Sequence, residues 1–272
     1  MPAFIEAPTI TSLPPEARGA VILTGSHGGR YPGYLAAKAA ARAVIFSDAG
    51  IGRDEAGIGS LADLERYGIA AAAIAHTSAR IGDTTDMAAR GIVSRANAQA
   101  RALGVVAGMA CREAAERLQA AALVEVEPDP YEESRREIAL PGAARRIVLI
   151  DSAAQVTPDD VGQIVVTGSH GGLVGGNPKY ALRVDGHVGV FNDAGIGIDN
   201  AGTTRLPALD ERGIAAFTVS AASARIGEAL STYRDGIISV VNDTARERGA
   251  QPGMSAKDIL DRWARQQEVA AG

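Results

Sequence analysis

The sequence has little cysteine, few aromatic residues and no excess of positive charge. Cys111 is the only cysteine among 272 residues, so neither an intrachain disulfide nor a cysteine-rich zinc site can form, as is typical of a reducing compartment. Aromatic residues make up 4%, too few to supply many stacking platforms for bases, and the formal net charge is -5. We therefore expect no nucleic-acid partner.

Long apolar runs are also missing. No stretch approaches the roughly 18 apolar residues of a membrane span, and the first residues lack the basic start and apolar stretch of a signal peptide. We therefore expect no membrane partner and a cytoplasmic location. Hydrophobic residues at 46% and charged residues at 22% are typical of a folded globular protein.

Three short polar motifs each occur twice, in the same order. The second and third recur at one common offset, and the first at an offset two residues shorter, which chance does not produce. The motifs are TGSHGG with His27 and His170, DAGIG with Asp48 and Asp193, and SARIG with Arg80 and Arg225.

The repeated motifs predict an internal tandem duplication of an α/β unit. Each copy is expected to form a mostly parallel sheet flanked by helices, and pseudo-twofold symmetry should relate the copies. The predicted boundaries are a first repeat at 1–118, a linker at 119–144 and a second repeat at 145–272.

Short apolar runs and longer amphipathic stretches predict the elements of each copy. An Asp-Gly pair in KYALRVDGHVGVF indicates a hairpin, and Asp83, Thr84 or Thr85 could cap a long helix. The predicted strands are 20–23, 43–46, 69–74, 164–166, 188–191 and 214–219. The predicted helices are 60–67, 86–103, 206–212 and 230–248.

All three motifs directly follow a predicted strand, and ligands of open α/β sheets bind at the carboxyl ends of the strands. Histidine can transfer protons near neutral pH, and a nearby aspartate can orient it, act as a base or hold a cation. The predicted catalytic residues are His27, Asp48, His170 and Asp193. Structural alternatives remain for each: a hydrogen-bonded histidine in a glycine turn, and an aspartate that caps the turn after it.

Arginine, hydroxyl groups and glycine amides are suited to hold an anion. The predicted substrate-binding residues are Ser26, Gly28, Gly29, Ser78, Arg80, Ser169, Gly171, Gly172, Ser223 and Arg225. The alternative for Arg80 is an internal salt bridge to Asp48 or Asp83. The two copies differ around these motifs, and we favour one cleft between the copies over two separate sites.

Several other sites are not supported. No dinucleotide-binding or phosphate-loop motif is present, and the single histidine of each motif gives no zinc-protease pattern. We therefore predict no metal and no cofactor. Ser26 to Gly28 and Asp48 to Gly50 resemble the His-Gly and Asp-Ala-Cys blocks of caspase-like peptidases. Because Gly50 and Gly195 stand where that family has its nucleophilic cysteine, peptidase activity does not carry over.

The sequence thus predicts an enzyme acting on a small anionic organic molecule, a hydrolase or lyase that uses histidine and aspartate for acid-base chemistry. The first alternative is a non-catalytic protein that binds a small ligand with the same loops. The second is a scaffold in which the motifs only shape turns. The sequence is compatible with a homo-oligomer.

Overall fold

The computed structural model describes residues 2–266 and contains two mixed β-sheets flanked by helices. The first sheet has the order β1-β2-β3-β4-β5, and the second has the order β11-β10-β9-β8-β7-β6. The strands are β1 (Phe4–Ala7), β2 (Val21–His27), β3 (Ala43–Ser47), β4 (Ala70–Ile74), β5 (Val93–Ala96), β6 (Arg135–Ile138), β7 (Ile147–Ile150), β8 (Ile164–His170), β9 (Val188–Asn192), β10 (Ala215–Val219) and β11 (Ile238–Val241).

Short helices cover the sheets. The α-helices are α1 (Arg30–Lys38), α2 (Ser60–Arg66), α3 (Thr84–Arg90), α4 (Ala98–Ala102), α5 (Cys111–Leu118), α6 (Arg205–Asp210), α7 (Ala229–Asp235), α8 (Asp243–Glu247) and α9 (Ala256–Arg265). Single 3₁₀ turns lie at Ile10–Ser12, Pro15–Ala17, Arg53–Glu55, Ala153–Gln155, Pro158–Asp160, Val174–Gly176, Pro178–Tyr180 and Ile198–Thr203.

The six predicted strands are confirmed as β2, β3, β4, β8, β9 and β10. They are apolar on both faces because helices cover both sides of each sheet, and they pair in parallel. Sequence patterns did not reveal β1 and β7, the parallel strands that extend the two sheets beside β2 and β8. The charged segment between the halves also contains β6, which pairs antiparallel with β7.

Two long helices and one hairpin were predicted wrongly. Residues 86–103 form α3, then β5, then α4, because Gly91 leaves the helical region at ψ 138° and β5 pairs antiparallel with β4. Residues 230–248 divide in the same way into α7, β11 and α8. The Asp-Gly pair before β9 lies in a loop and joins no two strands. Asp83 does cap α3, since its carboxylate accepts the Asp86 amide.

A small apolar cluster joins the two halves of the chain: Ala49, Ile81, Ala194, Ala201 and Ile226. At its centre the two DAGIG turns meet. Gly50 and Gly195 both have positive φ, and a Cβ added to either would lie 2.8 Å from the Cα of the other. Only glycine permits this approach.

The helices of residues 2–266 include none that combines the length and apolar character needed to cross a membrane.

Candidate functional site

A cavity of about 810 Å³ lies between the two sheets and is lined by both halves of the chain. The strand-end histidines of β2 and β8 both reach it. Its other polar and aromatic walls include Ser26, Arg30, Tyr31, Asp54, Tyr131, Glu133, Asp151, Ser169, Tyr180, Arg183, Arg205, Arg225 and Glu228.

The two histidines have the same local geometry. Nδ1 of His27 accepts the Gly29 amide at 3.1 Å, and Nδ1 of His170 accepts the Gly172 amide at 3.2 Å. Burial lowers the pKa of His27 to about 4. Burial, followed by the positive charge of Arg205, lowers the pKa of His170 well below its usual value. Both rings are therefore uncharged at neutral pH.

The glycine amides predicted to face an anion are already used within the protein. The Gly28 amide donates to the Ser47 carbonyl at 3.0 Å, and the Gly171 amide donates to the Asn192 carbonyl at 2.8 Å. The amides of Gly29 and Gly172 donate to Nδ1 of the two histidines. The predicted oxyanion-type site is thus not formed by these four amides.

The predicted serines fall into two groups. Ser26 and Ser169 line the cavity, although each hydroxyl also accepts a backbone amide. Ser78 and Ser223 lie outside the cavity lining. The hydroxyl of each donates to a carbonyl three residues earlier at 2.8 Å and accepts an amide at 2.9 Å. Ser78 and Ser223 therefore brace local turns.

Asp48 contacts His76 and not His27, contrary to the role predicted for it. One carboxylate oxygen of Asp48 accepts the His76 amide and the His76 Nδ1, both at 2.9 Å, and the Gly50 amide at 3.1 Å. Burial acts to raise the pKa of Asp48, but the hydrogen bonds from His76 outweigh it, so this pKa lies below its usual value. The same side-chain hydrogen bond raises the pKa of His76.

Asp193 also caps its own turn. Its carboxylate accepts the amides of Gly195 and Ala221, both at 2.9 Å. Neither Asp48 nor Asp193 lines the cavity between the sheets. Both aspartates belong to the contact between the two DAGIG turns.

The motif arginines form ion pairs that cross between the halves. Arg80 Nη2 lies 2.9 Å from the Asp199 carboxylate, and Arg225 Nε lies 2.7 Å from the Asp54 carboxylate. The salt bridge considered for Arg80 named Asp48 or Asp83, whereas the shortest contact of Arg80 is to Asp199, and a contact of 3.7 Å joins it to Asp86. A longer contact of 3.9 Å joins Arg80 to Asp83. Arg225 lines the cavity and Arg80 does not.

Arg205 is a site residue that the sequence interpretation missed. It is 3% exposed, and its guanidinium donates to the carbonyls of Gly172, Tyr180 and Ala181 at 2.6 to 3.0 Å. Its Cζ lies 5.0 Å from the centre of the Phe191 ring. No carboxylate pairs with Arg205 within residues 2–266, and burial lowers its pKa to about 10. The cavity wall thus carries a buried cation balanced only by neutral groups.

A comparison of the two halves could have identified Arg205. The repeated motifs align Arg205 with Ser60, which opens SLADLERYG where the second half has RLPALDERG. Ser60 is fully buried and donates to the Gly28 carbonyl at 2.8 Å. A charge on a buried helix face in only one half indicates a specialised position.

Aromatic and acidic side chains form the opposite wall. The ring centre of Tyr31 lies 6.1 Å from that of Tyr34 and 6.0 Å from that of Tyr131. Burial, followed by the negative charge of Asp151, raises the pKa of Glu133 to about 7. Glu133 therefore changes charge near neutral pH.

One family model matches part of the chain. Residues 62–145 match the impB/mucB/samB family, and this segment runs from α2 to a point beyond β6. The match covers less than half of the chain and includes Tyr131 and Glu133 of the cavity wall. No curated protein and no solved structure matches this chain.

The family match points to DNA polymerases of the Y family, which act in translesion synthesis and bind DNA. It contradicts the predicted hydrolase or lyase acting on a small anionic molecule, together with the assignment to small-molecule metabolism. The prediction that nucleic acid is not a partner is also wrong on this finding. Low aromatic content and negative net charge describe the whole chain, so they do not exclude a local segment that binds nucleic acid.

Proposed function

We propose that this chain binds nucleic acid and that the cavity between its two sheets receives one unstacked nucleotide of a single strand. The partial family match indicates the class of ligand, and it includes two side chains of the cavity wall. Because the net charge is -5, affinity is expected to come from this cavity rather than from a broad basic surface.

The main support for the proposal is the unpaired, buried charge of Arg205. A buried charge is normally paired, because removing it from water is costly. Arg205 has no carboxylate partner, and its Nη2 has no acceptor within residues 2–266. Nη2 is not among the fully enclosed unpartnered atoms, and Arg205 lines the cavity. A phosphate oxygen would supply the missing anion.

The tyrosines provide the complementary feature. Tyr31 and Tyr131 line the cavity with their rings 6.0 Å apart. Aromatic rings of this kind stack with bases, and one such stack contributes about 1–3 kcal/mol. A volume of about 810 Å³ lies within the usual range for a ligand site and can hold one nucleotide.

Nucleotidyl transfer is not included in this proposal. Polymerases hold two divalent metal ions with carboxylates. Residues 2–266 contain no group of three or more histidine, cysteine, aspartate or glutamate side chains placed to hold a metal ion. The residues present do not fit that chemistry, so the proposal is limited to binding.

The proposal also includes an internal duplication, with repeats at 1–118 and 145–272 related by pseudo-twofold symmetry. The proposed location is the cytoplasm. Support for the duplication comes from matching hydrogen bonds. Asn97 caps α4 and bridges to β4, and Asn242 caps α8 and bridges to β10 with equivalent partners. The amide of Arg53 donates to Ala221 of the other half, and the amide of Ile198 donates to His76.

The test is fluorescence anisotropy with labelled single-stranded DNA of about 12 nucleotides. We expect Tyr131→Ala to weaken binding about tenfold through lost stacking, and Arg205→Lys to weaken it by a similar factor because lysine lacks the planar fork. Arg246→Lys is the matched control, since Arg246 is exposed and pairs with Asp243 outside the cavity. One phosphate contact predicts a slope of about -0.7 for log affinity against log salt concentration.

Two outcomes would overturn the proposal. One is the absence of saturable binding to any single strand at low salt. The other is equal affinity of the wild type, Tyr131→Ala and Arg205→Lys proteins, each shown to be folded by circular dichroism. Tyr131 lies in a segment without helix or strand, so its variant tests the cavity even if the arginine variant does not fold.

A further inference from the structure

His27 and His170 face one cavity from opposite halves of the molecule, and neither has an acidic partner among residues 2–266. We propose that they act together as uncharged Nε2–H donors that select a base carrying a carbonyl oxygen, an inference that rests on the proposed function. Proton transfer, the role expected from the sequence, is not required of them.

The backbone assigns the tautomer of both rings. Because Nδ1 of each histidine accepts a glycine amide, the ring proton of an uncharged imidazole lies on Nε2. Neither Nε2 has a hydrogen-bond partner within residues 2–266. In this range, the one polar side-chain atom that is both fully enclosed and without a hydrogen-bond partner is Gln99 Oε1. The two Nε2 atoms have no partner either, so neither of them is fully enclosed.

Each ring is held in place by the other half of the chain. A Cβ added to Gly227 would lie 3.4 Å from Cε1 of His27, and one added to Gly82 would lie 3.6 Å from Cε1 of His170. The Gly227 amide donates to Gly168 of its own half, and the Gly82 amide donates to Gly25. Each ring thus packs close to a fixed backbone segment, which limits its movement.

The surrounding charges keep the rings uncharged at neutral pH. Arg205 lies near His170, and both Arg205 and His27 disfavour a positive charge on His170, whereas burial disfavours the charge on His27. The carboxylates that line the cavity are Asp54, Glu133, Asp151 and Glu228, and its remaining cations are Arg30, Arg183 and Arg225. None of these carboxylates hydrogen-bonds either histidine in residues 2–266.

Two Nε2–H donors that face one cavity require acceptors within it. A carbonyl oxygen has two lone pairs and can accept from both rings, whereas a protonated amine cannot accept. Thymine, cytosine and guanine carry a carbonyl oxygen on the base, and adenine does not. The histidine pair therefore predicts a preference for these bases over adenine, whose ring nitrogens each have one lone pair and cannot accept from both donors at once.

The experiment uses single strands that differ only in one central nucleotide, presented in an abasic background: thymidine or deoxyadenosine. We expect the wild type to favour thymidine, and His27→Leu and His170→Leu each to reduce this preference about fivefold. The glutamine variants should restore part of it, because an amide Nε2 can also donate. His187→Gln is the matched control outside the cavity.

The pH profile distinguishes uncharged donors from imidazolium ions. In a Glu133→Gln background, which removes the competing carboxyl group, thymidine preference should stay constant from about pH 8 to about pH 5.5. A preference that rises as the pH falls would show charged histidines and overturn the inference.

Failure of this inference is distinguishable from failure of the proposed function. If Tyr131→Ala weakens binding but the leucine variants keep the thymidine preference, the nucleotide site stands and the histidine role is wrong. If no strand binds, the proposed function and the base selection both fail. In that case ¹⁵N spectra of the imidazoles still test the donors, because a proton on Nδ1 or a charged ring at pH 6 contradicts the assignment.

Discussion

The two ends of the cavity differ at the residue that supports each histidine turn. In the first half, Ser60 donates one hydrogen bond to the Gly28 carbonyl. In the second half, Arg205 donates to the Gly172 carbonyl and to two carbonyls beyond it. Ser60 and Arg205 thus bind neighbouring positions of the same motif, since Gly28 corresponds to Gly171 and not to Gly172, with a small neutral group in one half and a buried cation in the other.

Both halves present an aromatic ring and cations to the cavity: Arg30 and Tyr31 from the first half, and Tyr180, Arg183 and Arg225 from the second. Among the residues that line this cavity, the buried arginine, Arg205, comes from the second half alone. Under the proposed function Arg205 would hold the phosphate of the nucleotide, and two identical halves would offer two such positions.

The largest expected effect concerns Arg205 and Ser60, the two residues that differ between the halves. Arg205→Ala should lower the free energy of unfolding by about 3 kcal/mol, because three buried carbonyls lose their donor and a cavity forms. Ser60→Ala should lower it by about 1 kcal/mol, because one hydrogen bond is lost. Urea denaturation followed by circular dichroism measures both.

The control for this pair is Arg246→Ala, whose side chain is largely exposed and should change stability little. Equal losses for the Arg205 and Ser60 variants would contradict the view that the second half is specialised. A gain in stability for Arg205→Ala would show that desolvation of the charge outweighs its hydrogen bonds.

The central strands were predictable because a strand covered on both faces must be apolar throughout, as in β3 and β4. The shorter edge strand β5 was not predictable. Its sequence VSRA has no apolar pattern, and pairing with β4 determines its conformation. The histidines were placed correctly at strand ends, but the partner of Asp48 depends on the long-range position of His76, which spacing along the chain does not reveal.

A second contrast concerns the two DAGIG turns. Asp48 contacts His76, whereas Asp193 contacts a backbone amide of Ala221 at the matching place. The raised pKa of His76 means that its charged form stabilises the fold. This contribution is fully present below the unfolded pKa of about 6.5 and is lost as the pH rises through the raised folded value. Asp48 remains ionised through this range, because its pKa is lowered.

We therefore expect His76→Ala to lower the free energy of unfolding by about 1.5 kcal/mol at pH 6 and by less at pH 9. Denaturant titrations at the two pH values measure the difference. In an Asp48→Asn background the effect of His76→Ala should depend less on pH, since the hydrogen-bonded negative partner is absent and Asp193 is the negative group left near His76. A larger loss at pH 9 than at pH 6 in the wild-type background would contradict this assignment.

The smallest effect concerns the two ion pairs that cross between the halves. Arg80 shares Asp199 with Arg90, whose Nη2 lies 2.6 Å from the same carboxylate, while Asp54 receives Arg225 at 2.7 Å. These side chains are well exposed, so water and salt screen the interactions. Both aspartates have positive φ, and asparagine is the neutral replacement that tolerates this backbone conformation.

Double-mutant cycles should therefore report the charge interaction of each pair without added backbone strain. One cycle combines Arg80→Gln with Asp199→Asn, and the other combines Arg225→Gln with Asp54→Asn. We expect both couplings to be favourable, smaller than the His76 effect, and lost when salt is raised from about 0.05 M to about 1 M. The second arginine at Asp199, Arg90, lies at 2.6 Å, whereas the second arginine at Asp54, Arg53, lies at 3.7 Å, so removal of Arg80 should matter less than removal of Arg225. A coupling that persists at high salt would mean that the geometry of these contacts, rather than the charge, holds the two halves together. The difference between the two pairs would then be a difference in packing.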